Sequence, residues 1–305
     1  MKKLLLTCAL PKEITDELSK CFKIKSLEKP SKEDVIENIK DVEILLIRSE
    51  ITVDKEIIEN GKLLKIIGRI GVGLDNIDTF AAQEKNISVL NTPDANSIAV
   101  AELVFAMTLT MYRKLREADF SMKNNKWEKQ NFTGNELYNK TIGIIGFGRI
   151  GKKVSNIAKA FNMRVMAYDE YISDIEFASL SVKKANSVDE ILQNADIITL
   201  HIPKTPETEN LISKEKLKLM KKNAILINCA RGGIIEENAL IEALKNNQIL
   251  GACIDTWACE PNANEELKKL PNVIALPHLG ASTKESQERC ATEMLNRLFT
   301  IYGIS

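Results

Sequence analysis

Short apolar runs alternate with charged, helix-periodic stretches from the first residues of this chain. Runs of four or five residues rich in Leu, Ile and Val predict buried strands at 4–7, 22–26, 43–47, 65–68 and 87–90. Between them, apolar positions three and four apart predict helices at 13–20, 32–39, 55–60 and 77–85. From residue 97 to about 124 the helical spacing continues without Pro or Gly, which predicts one long helix joining two domains. Strands are then expected at 141–145, 164–168, 196–200, 224–228, 250–254 and 272–275. Helices are expected at 152–161, 187–193, 214–220 and 236–246. An amphipathic stretch at 283–302 ends the pattern as a helix that could cross back onto the first domain. Alternation of this kind implies parallel sheets with right-handed crossovers.

A length of 305 residues suits two domains, and 44% hydrophobic with 28% charged residues suits a packed core. Acidic and basic residues balance at 42 each, so no electrostatic footprint for nucleic acid or an anionic membrane exists. The opening Met1-Lys2-Lys3-Leu4-Leu5-Leu6 has the look of a secretion signal. Its apolar run is too short, however, and Pro11-Lys12-Glu13 ends it, so a first strand is the better reading. No apolar stretch reaches the 18 residues a membrane span needs. The six cysteines (8, 21, 229, 253, 259 and 290) lack paired metal-ligand spacing. They read as reduced thiols of a cytoplasmic protein, and no metal is expected. Lysines outnumber arginines 33 to 9, so each arginine invites a reason, most often planar recognition of carboxylate or phosphate.

The strand at 141–145 runs into Gly146-Phe147-Gly148-Arg149-Ile150-Gly151, and a second strand ends on Asp169. A glycine turn between strand and helix, with an acid about 20 positions on, is the fingerprint of a dinucleotide site. Gly146 permits the turn, Gly148 lets backbone approach a pyrophosphate, and Gly151 lets helix and strand pack closely. The helix amino end offers N–H groups to phosphate, and Asp169 suits the adenosine ribose. An ordinary glycine turn is the bland alternative, but the acid at this distance weighs against it.

Three loops beyond later strands gather unusual residues: Asn228-Cys229-Ala230-Arg231-Gly232-Gly233, Asp255 to Glu260, and Pro277-His278-Leu279-Gly280-Ala281. Ligands of open parallel sheets bind at strand carboxyl ends, so all three could converge on one site. Arginine, acid and histidine together suit hydride transfer at an alcohol carbon. Histidine takes the hydroxyl proton, a carboxylate fixes its tautomer, and arginine binds a substrate carboxylate. Of the two histidines, His278 is the expected base, whereas His201, near a strand end, packs or lines the cofactor.

With these residues in place, the chain resembles the D-isomer-specific 2-hydroxyacid dehydrogenases over nearly its whole length. The likeness also rests on Gly68-Arg69-Ile70-Gly71-Val72-Gly73-Leu74-Asp75-Asn76, Asn91-Thr92-Pro93, Ala101-Glu102-Leu103 and Lys126-Trp127-Glu128. The fold it implies is α/β with two doubly wound parallel-sheet domains. A Rossmann dinucleotide-binding domain (97–282) is inserted into a flavodoxin-like substrate domain (1–96 plus 283–305). Arg231, Glu260 and His278 would be the catalytic trio and NAD the cofactor. Gly146, Gly148, Arg149, Ile150 and Gly151 would lie at the pyrophosphate and Asp169 at the ribose. Val72, His201, Ile202, Cys229, Ala230, Asp255, Gly280 and Ala281 would complete the cofactor contacts.

The resemblance also assigns the backbone of Gly71, Val72 and Gly73 to the substrate carboxylate, beside Arg231 and His278. Arg48 and Arg69 follow strands of the first domain and fit a second anionic group, so 3-phosphoglycerate and 3-phosphohydroxypyruvate are the expected substrates. An ion pair with a nearby acid is the alternative for those arginines. The resemblance implies a homodimer, in which a cation after the Lys-Trp-Glu motif reaches the partner's site; here that residue is Lys129. Rival readings are a glyoxylate or hydroxypyruvate reductase, and a non-catalytic NAD sensor of the co-repressor type. Because the chain closes on the terminal helix, the form expected is one without a serine-binding ACT domain.

Overall fold

The computed structural model describes residues 1–304 as two compact units, one of residues 1–96 with 281–304 and one of residues 97–280. In the first unit the strands are β1 (Lys2–Leu6), β2 (Phe22–Ser26), β3 (Ile44–Ile47), β4 (Ile66–Arg69) and β5 (Ser88–Leu90). Its helices are α1 (Lys12–Cys21), α2 (Lys32–Asn38), α3 (Lys55–Asn60) and α4 (Thr79–Glu84). All pairings are parallel, in the order β2-β1-β3-β4-β5. The two-residue period divides the strands between two cores. Leu5, Leu45, Ile47 and Ile67 face one, whereas Leu4, Leu6, Ile44, Leu46 and Ile66 face the other. The returning helix, α12 (Lys284–Tyr302), closes the second of these with Met294, Leu295 and Leu298. Met294 lies so near Gly68 that a Cβ there would sit 2.9 Å from its sulfur.

The second unit begins with α5 (Ser97–Tyr112) and α6 (Leu115–Lys123), where the sequence pattern predicts one continuous helix. The helix breaks because Lys114 adopts a left-handed conformation, φ 50°. The Tyr112 carbonyl, which a continuing helix would use, instead accepts the Asn135 amide at 2.9 Å. Gly134 allows that return, since a Cβ on it would come within 2.2 Å of the same carbonyl. Short elements without a clear period also escape the pattern, namely α8 (Asp174–Ser179), β8 (Lys183–Lys184) and the 3₁₀ turns Lys129–Phe132 and Leu267–Lys269.

The remaining strands of this unit are β6 (Thr141–Ile145), β7 (Arg164–Tyr168), β9 (Ile197–Leu200), β10 (Ile225–Asn228), β11 (Gly251–Ile254) and β12 (Val273–Ala275). Helices α7 (Arg149–Ala160), α9 (Val188–Asn194), α10 (Lys214–Leu217) and α11 (Glu237–Lys245) cross between them. The sheet is parallel throughout, ordered β12-β11-β10-β9-β6-β7-β8, so the strand order reverses between β6 and β9. Both faces are covered by apolar side chains, as a doubly wound sheet requires. Helix α12 (Lys284–Tyr302) belongs to the first unit and is capped by the Thr283 side chain at one end and Gly303 at the other. Among the described residues, no helix is long and apolar enough to cross a membrane.

Candidate active site

The crevice at the β6/β9 reversal is built from the glycine loop outward. Gly146 has φ 93°, and a Cβ on it would stand 2.4 Å from the His201 carbonyl oxygen. The loop after β9 is therefore pressed against the loop after β6, with Ile202 at the same contact. Helix α7 starts at Arg149, earlier than the pattern predicts, with Gly148 as its N-cap. Its first amides belong to Arg149, Ile150 and Gly151, and nothing lies within 4 Å of where a Gly148 side chain would be. Gly151 packs so closely that a Cβ would reach 2.4 Å from the Gly146 carbonyl. At the end of β7, Asp169 accepts the Phe147 amide at 2.7 Å and the Tyr171 amide at 2.9 Å. Each oxygen keeps a lone pair for a further donor. Open space at Gly148, a helix amino end and an anchored acid fit a dinucleotide.

At the end of β10, buried Asn228 shapes the next loop. Its side-chain oxygen accepts the Ala230 amide (3.0 Å) and its amide group donates to the Arg231 carbonyl (2.8 Å). One Arg231 guanidinium nitrogen donates back to the Ala230 carbonyl at 2.7 Å. Gly232 then passes directly under the next loop: a Cβ there would lie 1.7 Å from the Trp257 carbonyl oxygen. Cys229 and Ala230 are buried at the strand end, and burial pushes the Cys229 thiol well up, leaving it protonated.

Asp255 and Glu260 take different jobs beyond β11. The buried Asp255 carboxylate accepts the amides of Leu279 (2.6 Å) and Gly280 (2.8 Å), while its carbonyl accepts the His278 amide (2.9 Å). These three bonds hold His278 in a left-handed conformation, φ 55°, which a non-glycine residue adopts at a cost. Burial raises the Asp255 pKa, partly offset by the two amides. Glu260 is exposed and turned to the histidine, with Oε2 2.8 Å from His278 Nδ1 and Oε1 accepting the Trp257 amide at 3.0 Å. The Trp257 indole donates to the Leu276 carbonyl at 2.8 Å, joining both loops. His201 differs from His278. It is half-buried, Nε2 lies 2.9 Å from Thr199 Oγ1, and desolvation pushes its pKa down to about 3, so it is neutral.

The second unit thus brings together the fingerprint glycines, His201 and Ile202, and separately ties Asp255, Glu260, His278 and Gly280 into one network. Ala281 opens the returning segment of the first unit, where Arg48, Arg69, Gly71, Val72 and Gly73 also lie. Arg69 ends β4 opposite Ile47, the last residue of adjacent β3, and Arg48 follows Ile47 at the same carboxyl edge. The Arg69 guanidinium lies over Gly71, where a Cβ would overlap it. Asn91 holds the Val72 carbonyl at 2.7 Å. Lys129 is exposed in a turn after α6. Three residues with positioning roles stand in the sequence motifs without a role assigned to them there: Trp257, Asn228 and Phe147, the last through its backbone amide. Asn228 and Trp257 stand within the motif loops, which is the only local signal for them.

Residues 105–280 match the family model described as D-isomer specific 2-hydroxyacid dehydrogenase, NAD binding domain. A D-3-phosphoglycerate dehydrogenase of Methanocaldococcus jannaschii is 45% identical over 96% of this chain and 56% of its own length. The chain spans about half the length of most curated relatives of that description that it matches. A hydroxypyruvate reductase of Thermotoga maritima is 41% identical over 90% of this chain and 89% of its own. Among solved structures, a D-lactate dehydrogenase of Aquifex aeolicus, complexed with NAD and lactic acid, superposes with a TM-score of 0.84. It is 28% identical, over 99% of this chain and 96% of that one.

Proposed function

Because the chain belongs to the D-isomer-specific 2-hydroxyacid dehydrogenase family, we propose that it interconverts D-3-phosphoglycerate and 3-phosphohydroxypyruvate with NAD. This is the first step of phosphorylated L-serine biosynthesis. The observation that carries the reading is the His278–Glu260 contact, 2.8 Å at the end of the sheet, next to a loop that fixes an arginine. Bound NAD supplies the chemistry of hydride transfer at the substrate's C2. His278 Nε2 takes the hydroxyl proton in oxidation and returns it in reduction, while Glu260 holds Nδ1. Arg231 binds the substrate carboxylate and polarises the reacting oxygen. The amides of Val72 and Gly73 bind the same carboxylate. His201 is a poor base because its neutral ring resists protonation, which supports His278 in that role.

Asp169 accepts the ribose hydroxyls, and with Glu170 beside it a 2′-phosphate meets two negative charges, so NAD is preferred to NADP. Arg48 and Arg69 bind the substrate phosphate, and the partner's site receives Lys129 in a homodimer. Exposed Met122 and Trp127, which line a cavity of about 600 Å³, and exposed Phe120 on the same helix as Met122 support the dimer. Hydroxypyruvate reduction is the second reading, favoured by the likeness to the Thermotoga maritima protein.

One assay separates them: kcat/KM for 3-phosphohydroxypyruvate, hydroxypyruvate and glyoxylate with NADH and NADPH. The phosphorylated substrate with NADH should lead. Arg69→Ala should raise its KM about ten- to a hundred-fold, as a lost charge-assisted contact does, and spare hydroxypyruvate. Equal losses on both substrates would move Arg69 out of the phosphate site, and a wild-type preference for hydroxypyruvate would favour the second reading.

A further inference from the structure

Beside the Glu260–His278 pair the second unit contains another cavity, of about 290 Å³. Its walls are apolar: Trp257, Pro261, Ala263, Leu276 and Pro277. Lys268 stands among its lining residues as the one cation with a fixed positive charge, and Glu260 and His278 close another side. Arg231, Asp255 and Gly280 take no part in lining it, so it adjoins the reacting groups and shares with them only the Glu260–His278 pair. Its size lies near the lower end of small-molecule pockets, about 300–1,000 Å³, and suits a compact ligand.

Two features say what kind. Apolar walls around a small Ala263 side chain suit a flat hydrocarbon ring. Lys268 suits an anion. Its partner, Glu265 at 2.5 Å, is a surface residue just before the same turn, and both side chains are substantially exposed. Such pairs contribute little to stability, so a ligand carboxylate can replace Glu265 at small cost. Trp257 makes the cavity consequential. Its ring lines the wall, its indole N–H holds the Leu276 carbonyl, and its backbone amide holds Glu260 Oε1. The other Glu260 oxygen holds His278. An occupant that displaces Trp257 therefore shifts Glu260 through a single hydrogen bond.

We propose that this cavity is an effector site for a small aromatic carboxylate, whose binding lowers turnover by loosening the hold of Glu260 on His278. The effect on turnover rests on the catalytic reading of that pair; the binding does not. The test uses 1-naphthoate and uncharged 1-naphthamide, titrated calorimetrically into the full chain with NADH present, and then added to the dehydrogenase assay. Naphthoate should bind at least about tenfold more tightly than the amide, the margin of one charged contact. Lys268→Ala should erase that margin, and Ala263→Trp should fill the cavity and abolish binding. Both variants should keep NADH binding; Lys268→Ala should keep basal turnover, whereas Ala263→Trp should lower kcat as an occupant does. In the wild type, naphthoate should lower kcat without raising KM.

Naphthoate binding unchanged in Lys268→Ala would overturn the proposal, as would inhibition that only raises KM or no binding at millimolar concentration. Full activity with naphthoate bound would equally overturn it. If the chain turns over none of the three substrates, the catalytic reading fails, and the calorimetric arms still decide the site.

Discussion

Two histidines with the same side chain end in opposite electrostatic situations. His201 is half-buried beside Thr199 and stays neutral, because a charged ring there would lose hydration. His278 is exposed at the sheet edge and pairs with a carboxylate through one nitrogen, leaving the other for chemistry. His278→Ala should accordingly cut kcat by about 10²- to 10⁴-fold, the usual reach of a general base, while NADH binding measured by fluorescence stays within a few-fold. Near-wild-type turnover would remove His278 from the mechanism. Asp255 offers a prediction about stability. Burial raises its folded pKa above the ordinary 3.8, so the native state binds this proton more tightly than the unfolded chain. Its contribution is fully present below about 3.8 and is lost as pH rises through the raised folded value. Unfolding wild type and Asp255→Asn across acidic pH should show the wild type losing ground to the variant as pH rises, with a constant difference near neutrality. A gap that instead widens in favour of the wild type would mean that the two amide bonds outweigh burial.

At the scale of elements, the site depends on loops that pack backbone against backbone. The β10 loop slides under the β11 loop at Gly232, where the nearest atom to an added Cβ would be the Trp257 carbonyl oxygen. Neither loop can yield easily. Asn228 pins one from below, and Trp257 ties the other to both Glu260 and Leu276. Gly232→Ala should therefore cost about 1–3 kcal/mol, as overpacking does, and should lower kcat by displacing Arg231 and Glu260 together. Thermal melts and steady-state rates check both parts; an unperturbed melting temperature would show that the loops separate freely. The broken α5–α6 helix follows the same logic, since a returning backbone amide takes the Tyr112 carbonyl that the helix would need.

For the whole molecule, the exposed apolar surface around α6 is the feature a monomer leaves unexplained. Phe120 and Trp127 are 70% and 77% exposed, beside exposed Met122. Large exposed apolar clusters mark interaction sites, and in a dimer of identical chains each copy presents the same patch. Light scattering should give the mass of a dimer, and Phe120→Asp with Trp127→Ala should shift it toward 34.1 kDa, the mass of one chain. If the wild type already weighs that much, the homodimer is ruled out and Lys129 loses its assigned role.

The alternation of apolar runs and amphipathic stretches was enough to locate the long strands and crossover helices, because burial on both faces of a parallel sheet leaves a mark every few residues. The fingerprint from Gly146 to Asp169 was legible for the same reason, since turn, phosphate approach and ribose contact each require a particular residue at a particular spacing. The break at Lys114 was not legible, because it depends on a carbonyl being claimed by Asn135 from beyond the helix. Short α8 and β8 carry too few residues to show a period. Among the candidate site residues, Arg231 and His278 stood out in their loops and the family resemblance singled out Glu260 over Asp255, but what supports these side chains could not be read. That Asp255 grips the His278 loop from within, that Trp257 holds Glu260, and that His201 is neutral are all matters of burial and of partners distant in sequence. Residue types are local and can be read in order; hydrogen-bond partners and desolvation exist only once the strands lie side by side.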